Sequence, residues 1–416
     1  MKRLLSAFFA ALFIVMNAVP AHAREAPQVI SETAVLIDAA TGQVLYEKEK
    51  DKRMYPASTT KVLTGLLAVE NGDMADSITF SHDAVYSIGR DTSHASISEG
   101  EVLTLEQAMY AMAIESANDA ANGIGEYLAA KTGKSFSQLA NERARRAGAK
   151  NSNFVNPHGL HDENHYTTAY DLALIAAQRV KNDTFNRIFS AETYSISPTN
   201  KQPETRTFHS ANWFLNGAFN YDGIVMSKTG WTQEAAHTMV TCAERNGVKL
   251  ICVVMYSRTK SAKWDDTRAL FDWAVENFKP VSVSGEYIAL SAPDRINCDG
   301  SGRLYIAKKD IQADTATVLL SSGDSAESVQ VEFSAPSMSE DMQTAKMTAT
   351  LYKGKSTDKN VLATVQVNAP VSELLTVTQV ADARSNPADN MLTTLIFGLL
   401  TFVAVMICDI LIGKRI

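Results

Sequence analysis

Ser58 and Lys61 stand three residues apart in Tyr55-Pro56-Ala57-Ser58-Thr59-Thr60-Lys61, just ahead of a run with helical apolar spacing. At a helix start, that spacing puts a hydroxyl and an amine on one face, one turn from each other. A serine hydroxyl is a weak nucleophile and needs a base within hydrogen-bond reach. Lysine serves as that base only when neutral. From an unperturbed pKa near 10.4, neutrality at pH 7 costs about 4–5 kcal/mol unless burial or a second cation lowers it. The pattern therefore points to serine-based acyl transfer, on condition that the fold supplies such an environment.

Two further elements could supply it. Ser116-Ala117-Asn118 falls inside the helical stretch Ala108–Asn122, where a hydroxyl and a carboxamide could relay a proton and hold a substrate amide. Lys228-Thr229-Gly230 precedes Trp231 and a pair of strands, offering a second cation, a hydroxyl for a carboxylate and room for close approach. Each element has a twin elsewhere: Ser257-Arg258-Thr259-Lys260, Ser210-Ala211-Asn212 and Lys131-Thr132-Gly133. Gly133 ends a helical run in the manner of a C-cap glycine. Only Ser58/Lys61, Ser116/Asn118 and Lys228/Thr229/Gly230 fall in the order helix start, helix, strand.

The elements that must position these groups can be followed along the chain. Ala34–Tyr46 predicts two strands around a Thr-Gly turn, and Lys61–Glu70 a helix. Helical spacing continues through Leu105–Ala130, Ser135–Ala147 and Thr168–Val180. Thr238–Ala243 and Lys249–Tyr256 predict strands around Asn246-Gly247, and Thr267–Phe278 a closing helix. From Val281 to about Val380 short Val/Thr/Leu-rich runs predict a small all-β domain.

The set Ser-x-x-Lys, Ser-x-Asn and Lys-Thr-Gly is shared by penicillin-binding proteins and class A β-lactamases. Over roughly Ser31 to Phe278 the chain resembles the low-molecular-mass D-alanyl-D-alanine carboxypeptidases. Ala34–Tyr46, Pro56–Lys61, Ser116–Ala120, Asn156-Pro157-His158-Gly159-Leu160, Tyr166–Ala173, Asp222-Gly223 and Lys228–Thr232 carry that resemblance. It implies a β-lactamase/transpeptidase-like α/β domain, an antiparallel sheet flanked by helices, acting without a cofactor. Ser58 would attack the carbonyl of a penultimate D-alanine and Lys61 would take its proton. Ser116 and Asn118 would relay the proton and bind substrate backbone, while Lys228 and Thr229 would hold the terminal carboxylate. The amides of Ser58 and Trp231, beside Gly230, would form an oxyanion hole. Peptidoglycan stem peptides would be the substrates, and β-lactams would acylate Ser58. Two departures stand out: Lys263 occupies the place nearest a carboxylate-binding arginine common in the family, and Val225-Met226-Ser227 lengthens the approach to Lys228.

The ends and the composition add the setting. Met1-Lys2-Arg3, an apolar run to about Ala18 and Ala21-His22-Ala23 predict a secretory leader over 1–23. The stretch 391–413 carries no charge up to Cys408, is closed by Lys414-Arg415, and has the length of a membrane span. Basic residues favour the cytoplasmic side. The expected layout is therefore a catalytic domain over 24–280, a β-rich domain over 281–382, a linker over 383–390, the span, and a cytoplasmic tail over 414–416. The working part would then lie on the outer face of the cell membrane, facing the wall. A net charge of −7 argues against nucleic-acid partners. His158, His161, Glu163 and His165 lie close together, but no His-Glu-x-x-His helix is present and no metal is expected. Cys242 and Cys252 flank Asn246-Gly247 at a distance that leaves a disulfide undecided. A cross-link endopeptidase, a β-lactamase and a non-catalytic wall-binding protein remain the competing functions.

Overall fold

The structure is a computed structural model that describes residues 25–374 apart from 179, 181, 356 and 357. The leader expected at 1–23, the linker at 383–390 and the span at 391–413 lie outside the described residues. Among the described residues no helix is long and apolar enough to cross a membrane.

The chain divides into two compact units. The first runs through Val283 and includes Ala316–Gln330 and Leu351–Thr364. Its centre is a five-stranded antiparallel sheet. Strands β1 (Thr33–Asp38) and β2 (Val44–Lys48) form the expected hairpin. Two short pairs follow, β3 (Ser77–Thr79) with β4 (Val102–Thr104) and β5 (Thr193–Ile196) with β6 (Arg206–His209). Strands β7 (Ile224–Thr232), β8 (Ala236–Arg245) and β9 (Val248–Ser257) complete the large sheet in the order β2-β1-β9-β8-β7. Because side chains alternate along a strand, β9 feeds two cores. Ile251, Val253 and Met255 pack with the Lys61–Asn71 and Leu105–Ile114 helices, while Leu250, Cys252 and Val254 pack with the Ala262–Asn277 helix. The sheet is thus buried on both faces, and its residues 250–255 form a continuous apolar run that does not alternate with polar ones.

Two details of register bear on the sequence reading. Thr241, not Cys242, pairs with Cys252, and Cys242 pairs with Ile251. A one-residue offset sends the two thiols to opposite faces. Both are free and buried, with burial holding each thiol up near a pKa of about 12. Between Ile224 and Met226 the β7–β8 ladder shifts register. The bulge falls at Val225, within the Val225-Met226-Ser227 approach to Lys228.

One expectation about local structure is overturned. The helical stretch predicted over Leu105–Ala130 is two helices, Leu105–Ile114 and Asn118–Thr132, broken at Glu115-Ser116-Ala117. Ser116 has φ +60°, a left-handed conformation that no helix interior contains. Ser116 and Asn118 therefore present their side chains from a junction and a helix start, not from a helix face.

A strand at Phe278–Val283 pairs antiparallel with Ala316–Ser321, and the Gln43 side chain bonds both the carbonyl and the amide of Leu319. In the second unit a short helix, Gly285–Leu290, accompanies a three-stranded antiparallel sheet of Arg295–Asn297, Leu304–Ala307 and Ser372–Glu373.

Candidate active site

Ser58 lies in a 3-10 turn, Ala57–Thr60, that runs directly into the Lys61–Asn71 helix. Ala57 is forced to φ +49°, and the neighbourhood explains how this is held. The Pro56 carbonyl accepts the hydroxyls of Thr59 and Thr238 at 2.7 and 2.9 Å. On the other side sits Gly159, at φ +86°, where a Cβ would stand 1.9 Å from the Ala57 carbonyl oxygen. Only glycine fits there, so the Asn156–Leu160 loop backs the nucleophile turn by direct backbone contact.

That same loop completes the lysine site. Lys61 is fully buried, and its Nζ lies 2.9 Å from Ser58 Oγ, 2.7 Å from Asn118 Oδ1 and 2.7 Å from the His158 carbonyl oxygen. A neutral amine has two N–H bonds and one lone pair. Asn118 Oδ1 and His158 O can only accept, so they take the two N–H groups, and the lone pair is left facing the Ser58 hydroxyl. Burial drives the Lys61 pKa well below its ordinary value, the Lys228 ammonium pushes it down further, and Asp119 pulls the other way. The environment required for a lysine base is present.

Lys228 is on β7, 3% exposed, with Nζ 2.9 Å from Ser116 Oγ and 3.0 Å from the Thr229 carbonyl. Burial lowers it to about 7, against a smaller upward pull from Glu115. Gly230 brings β7 against the nucleophile turn, where a Cβ would stand 2.9 Å from Ser58 N. Trp231 follows, 62% exposed at the rim. All eight residues singled out in the sequence thus converge: Ser58, Lys61, Ser116 and Asn118 with Lys228, Thr229, Gly230 and Trp231 surround one cleft of about 360 Å³ or its floor. A larger hollow of about 720 Å³ in the second unit is lined by no serine, threonine, cysteine or histidine.

The histidine group has other partners. His165 Nε2 bonds the Thr60 hydroxyl at 2.9 Å and its Nδ1 accepts the Val155 amide, while His158 Nδ1 accepts the Leu160 amide. Burial lowers these two imidazoles to about 4 and about 3. Among the described residues no three His, Cys, Asp or Glu side chains form a metal-sized group.

Two features of the wall escape sequence reasoning, the His158 carbonyl and the His237 ring, whereas Lys263 is legible there as a departure from the family pattern. His158 acts through its carbonyl, for which a side-chain motif has no symbol. Lys263 and His237 line the far wall, with Lys263 Nζ 3.4 Å from His237 Nδ1 and stacked 3.9 Å over the Trp264 ring. Burial, aided by Lys260, lowers Lys263 to about 8. The two twin motifs beside this wall are instructive. Asn212 donates to Ser227 Oγ beneath β7, and Ser257 pairs with Ser31, so neither reproduces the Ser58 arrangement, although Asn212 and Lys260 line the same cleft.

Comparison with known proteins agrees with this geometry. The family model described as D-alanyl-D-alanine carboxypeptidase matches residues 20–259. The chain is 30% identical over 294 residues to the D-alanyl-D-alanine carboxypeptidase DacF of Bacillus subtilis, covering 67% of this chain and 72% of that one. It is 29% identical to DacC of Escherichia coli over 62% and 64% of the two chains. Among solved structures, a D-alanyl-D-alanine carboxypeptidase of Mycobacterium tuberculosis superimposes with a TM-score of 0.55 at 27% identity, over 62% of this chain and 95% of the other. The Streptomyces K15 DD-transpeptidase gives 0.56 at 26%, over 60% and 98%. The fold is therefore the penicillin-binding, transpeptidase-like α/β fold, and the chain belongs to the D-alanyl-D-alanine carboxypeptidase family of serine peptidases.

Proposed function

We propose that Ser58 is the nucleophile by which this chain removes the terminal D-alanine from peptidoglycan stem peptides, and that Lys61 is its base. The observation that carries the assignment is the Lys61 amine, buried, with both N–H groups taken and its free direction at Ser58. Ser58 Oγ attacks the penultimate carbonyl carbon and its proton passes to Lys61 Nζ. The developing oxyanion is met by the amides of Ser58 and Trp231. As the C–N bond breaks, the departing amine takes a proton delivered along Lys61 and Ser116, and water then cleaves the ester. The ionised Lys228 and the Thr229 hydroxyl hold the substrate carboxylate. The two lysines thus work in opposite states, one neutral and one charged, as their different surroundings allow.

D-alanine release from a peptide ending in D-Ala-D-Ala tests this reading, with penicillin-treated protein as the blank. Release that penicillin abolishes, with the label recovered on Ser58, is the expected result. Labelling of Ser58 without release would move the reading to a cross-link endopeptidase or a binding protein.

The Lys228 assignment predicts a pH effect on binding. With a pKa near 7, Lys228 is charged below that value and loses its charge as pH rises through it. The peptide carboxylate stays ionised throughout. KM for the peptide should therefore rise about thirtyfold between pH 6 and 8.5, and a substrate with a C-terminal amide should lack that limb. A KM flat across this range would remove Lys228 from carboxylate binding.

Export by the 1–23 leader and anchoring by 391–413 belong to the same proposal, with the catalytic domain at 24–280 and the β-rich domain at 281–382. They are supported by the uncharged run up to Cys408 and the basic residues after it. Removal of 391–416 should move the chain from the membrane fraction to the soluble one.

A further inference from the structure

Asp119 has no part in the steps above, yet it is 2% exposed and directly follows Asn118. Its carboxylate accepts three backbone N–H groups. Ala95 N lies 3.0 and 3.1 Å from its two oxygens, Ile97 N 3.1 Å from Oδ2, and Ala120 N 2.8 Å from Oδ1. The bond from Ala120 lies in the first turn of the Asn118–Thr132 helix, where a negative charge is favoured. The other two reach across to a segment 22 to 24 residues earlier in the chain. That segment also meets the helix start directly, since the Asn118 amide donates to the Ser93 carbonyl at 2.9 Å. Ser93 lines the cleft, and Asn118 holds Lys61. Between the two tethered amides Ser96 is held at φ +54°.

We propose that Asp119 is a positioning residue for this reaction: it ties the Ser93–Ile97 wall to the helix start whose Asn118 side chain holds the Lys61 amine.

The charges around Lys61 can be named element by element. Lys228 on β7 opposes its protonation. His158 and His165, from the loop behind it, are held neutral by burial near neutral pH. Asp119 is the group that favours the ammonium form. Glu115 acts on Lys228. On the far side of Asp119, Arg90 and His94 share a hollow with it. The sign follows from these positions. Lys61 is active when neutral, so acylation is lost as pH falls through its pKa. Removing the Asp119 charge lowers that pKa and carries the acid limb to lower pH.

The inference rests on Lys61 as the base, and the test keeps the two apart. The rate of Ser58 acylation by labelled penicillin is followed against pH in the full chain, in Asp119→Asn and in Asp119→Glu. Asparagine also turns an NH₂ toward backbone donors, so its plateau should fall about tenfold. Its acid limb should move down by about half a pH unit or more. Glutamate keeps the charge but displaces the tethered segment, so its plateau should fall several-fold while its limb stays with the parent. An unmoved limb in Asp119→Asn, or an equal shift in both variants, overturns the proposal. Should the asparagine protein not fold, the glutamate variant decides: a lowered plateau with the parental limb supports it, and a shifted limb or an unchanged plateau overturns it. An acid limb that persists in Lys61→Ala protein would instead sink the reading of Lys61 as the base.

Discussion

Ser58→Ala, Lys61→Ala and the double variant are expected to lose D-alanine release by the same factor, about a thousandfold or more, and the two variants without the Ser58 hydroxyl to form no penicillin ester. The equality is the informative part. Ser58 Oγ and Lys61 Nζ are 2.9 Å apart, and the lysine's remaining two bonds go to oxygens that cannot supply or remove a proton. A hydroxyl without the amine keeps its proton, and the amine without the hydroxyl has nothing to deprotonate. Each loss therefore removes the whole unit, and the second adds nothing. D-alanine release rates for the three variants, with thermal melts to confirm the fold, check this. A Lys61→Ala protein retaining a tenth of the parental rate would mean that another base serves Ser58. Multiplicative losses would mean that the two residues act independently.

Much of this pair's setting is visible in the sequence, because its logic is local. A three-residue spacing at a helix start is a statement about one turn, apolar periodicity marks the Lys61–Asn71 helix, and apolar runs on either side of Asn246-Gly247 mark the long strands that flank the site. What escapes is set by contacts between distant segments. Leu105–Ala130 contains no proline or glycine near residue 116 and keeps an apolar period across it. Its break comes from tertiary demands: Lys228 reaches Ser116, and Ser93 takes the Asn118 amide. The cysteines are a second case, since a one-residue shift of register separates Cys242 from Cys252 by the thickness of the sheet. The β5–β6 pair is a third. Its strands are four residues each, too short for alternation to speak. Finally, the His158 carbonyl and the Gly159 contact with Ala57 are backbone features, and side-chain motifs do not encode them.

Gly230→Ala is expected to lower the acylation rate by about 10²–10³-fold, with a smaller change in KM. A Cβ at this position would lie 2.5 Å from Thr238 Oγ1, 2.9 Å from Ser58 N and 3.0 Å from the Pro56 carbonyl oxygen. Two of these neighbours are backbone atoms of the nucleophile turn, and Pro56 O is pinned by the Thr59 and Thr238 hydroxyls. The turn cannot yield without moving Ser58, so β7 must retreat. The amides of Ser58 and Trp231, proposed above as the oxyanion donors, would then be moved apart. Their spacing matters most when charge develops, so rate suffers more than binding. The chain provides its own control in Lys131-Thr132-Gly133. There a Cβ meets nothing within 4 Å, but φ is +70°. Gly133→Ala should therefore lower stability by about 1 kcal/mol and leave acylation unchanged. The same tripeptide thus needs its glycine for space in one place and for backbone conformation in the other. A Gly230→Ala protein acylating at more than a tenth of the parental rate would show that the strand has slack, and the oxyanion hole would have to be sought elsewhere.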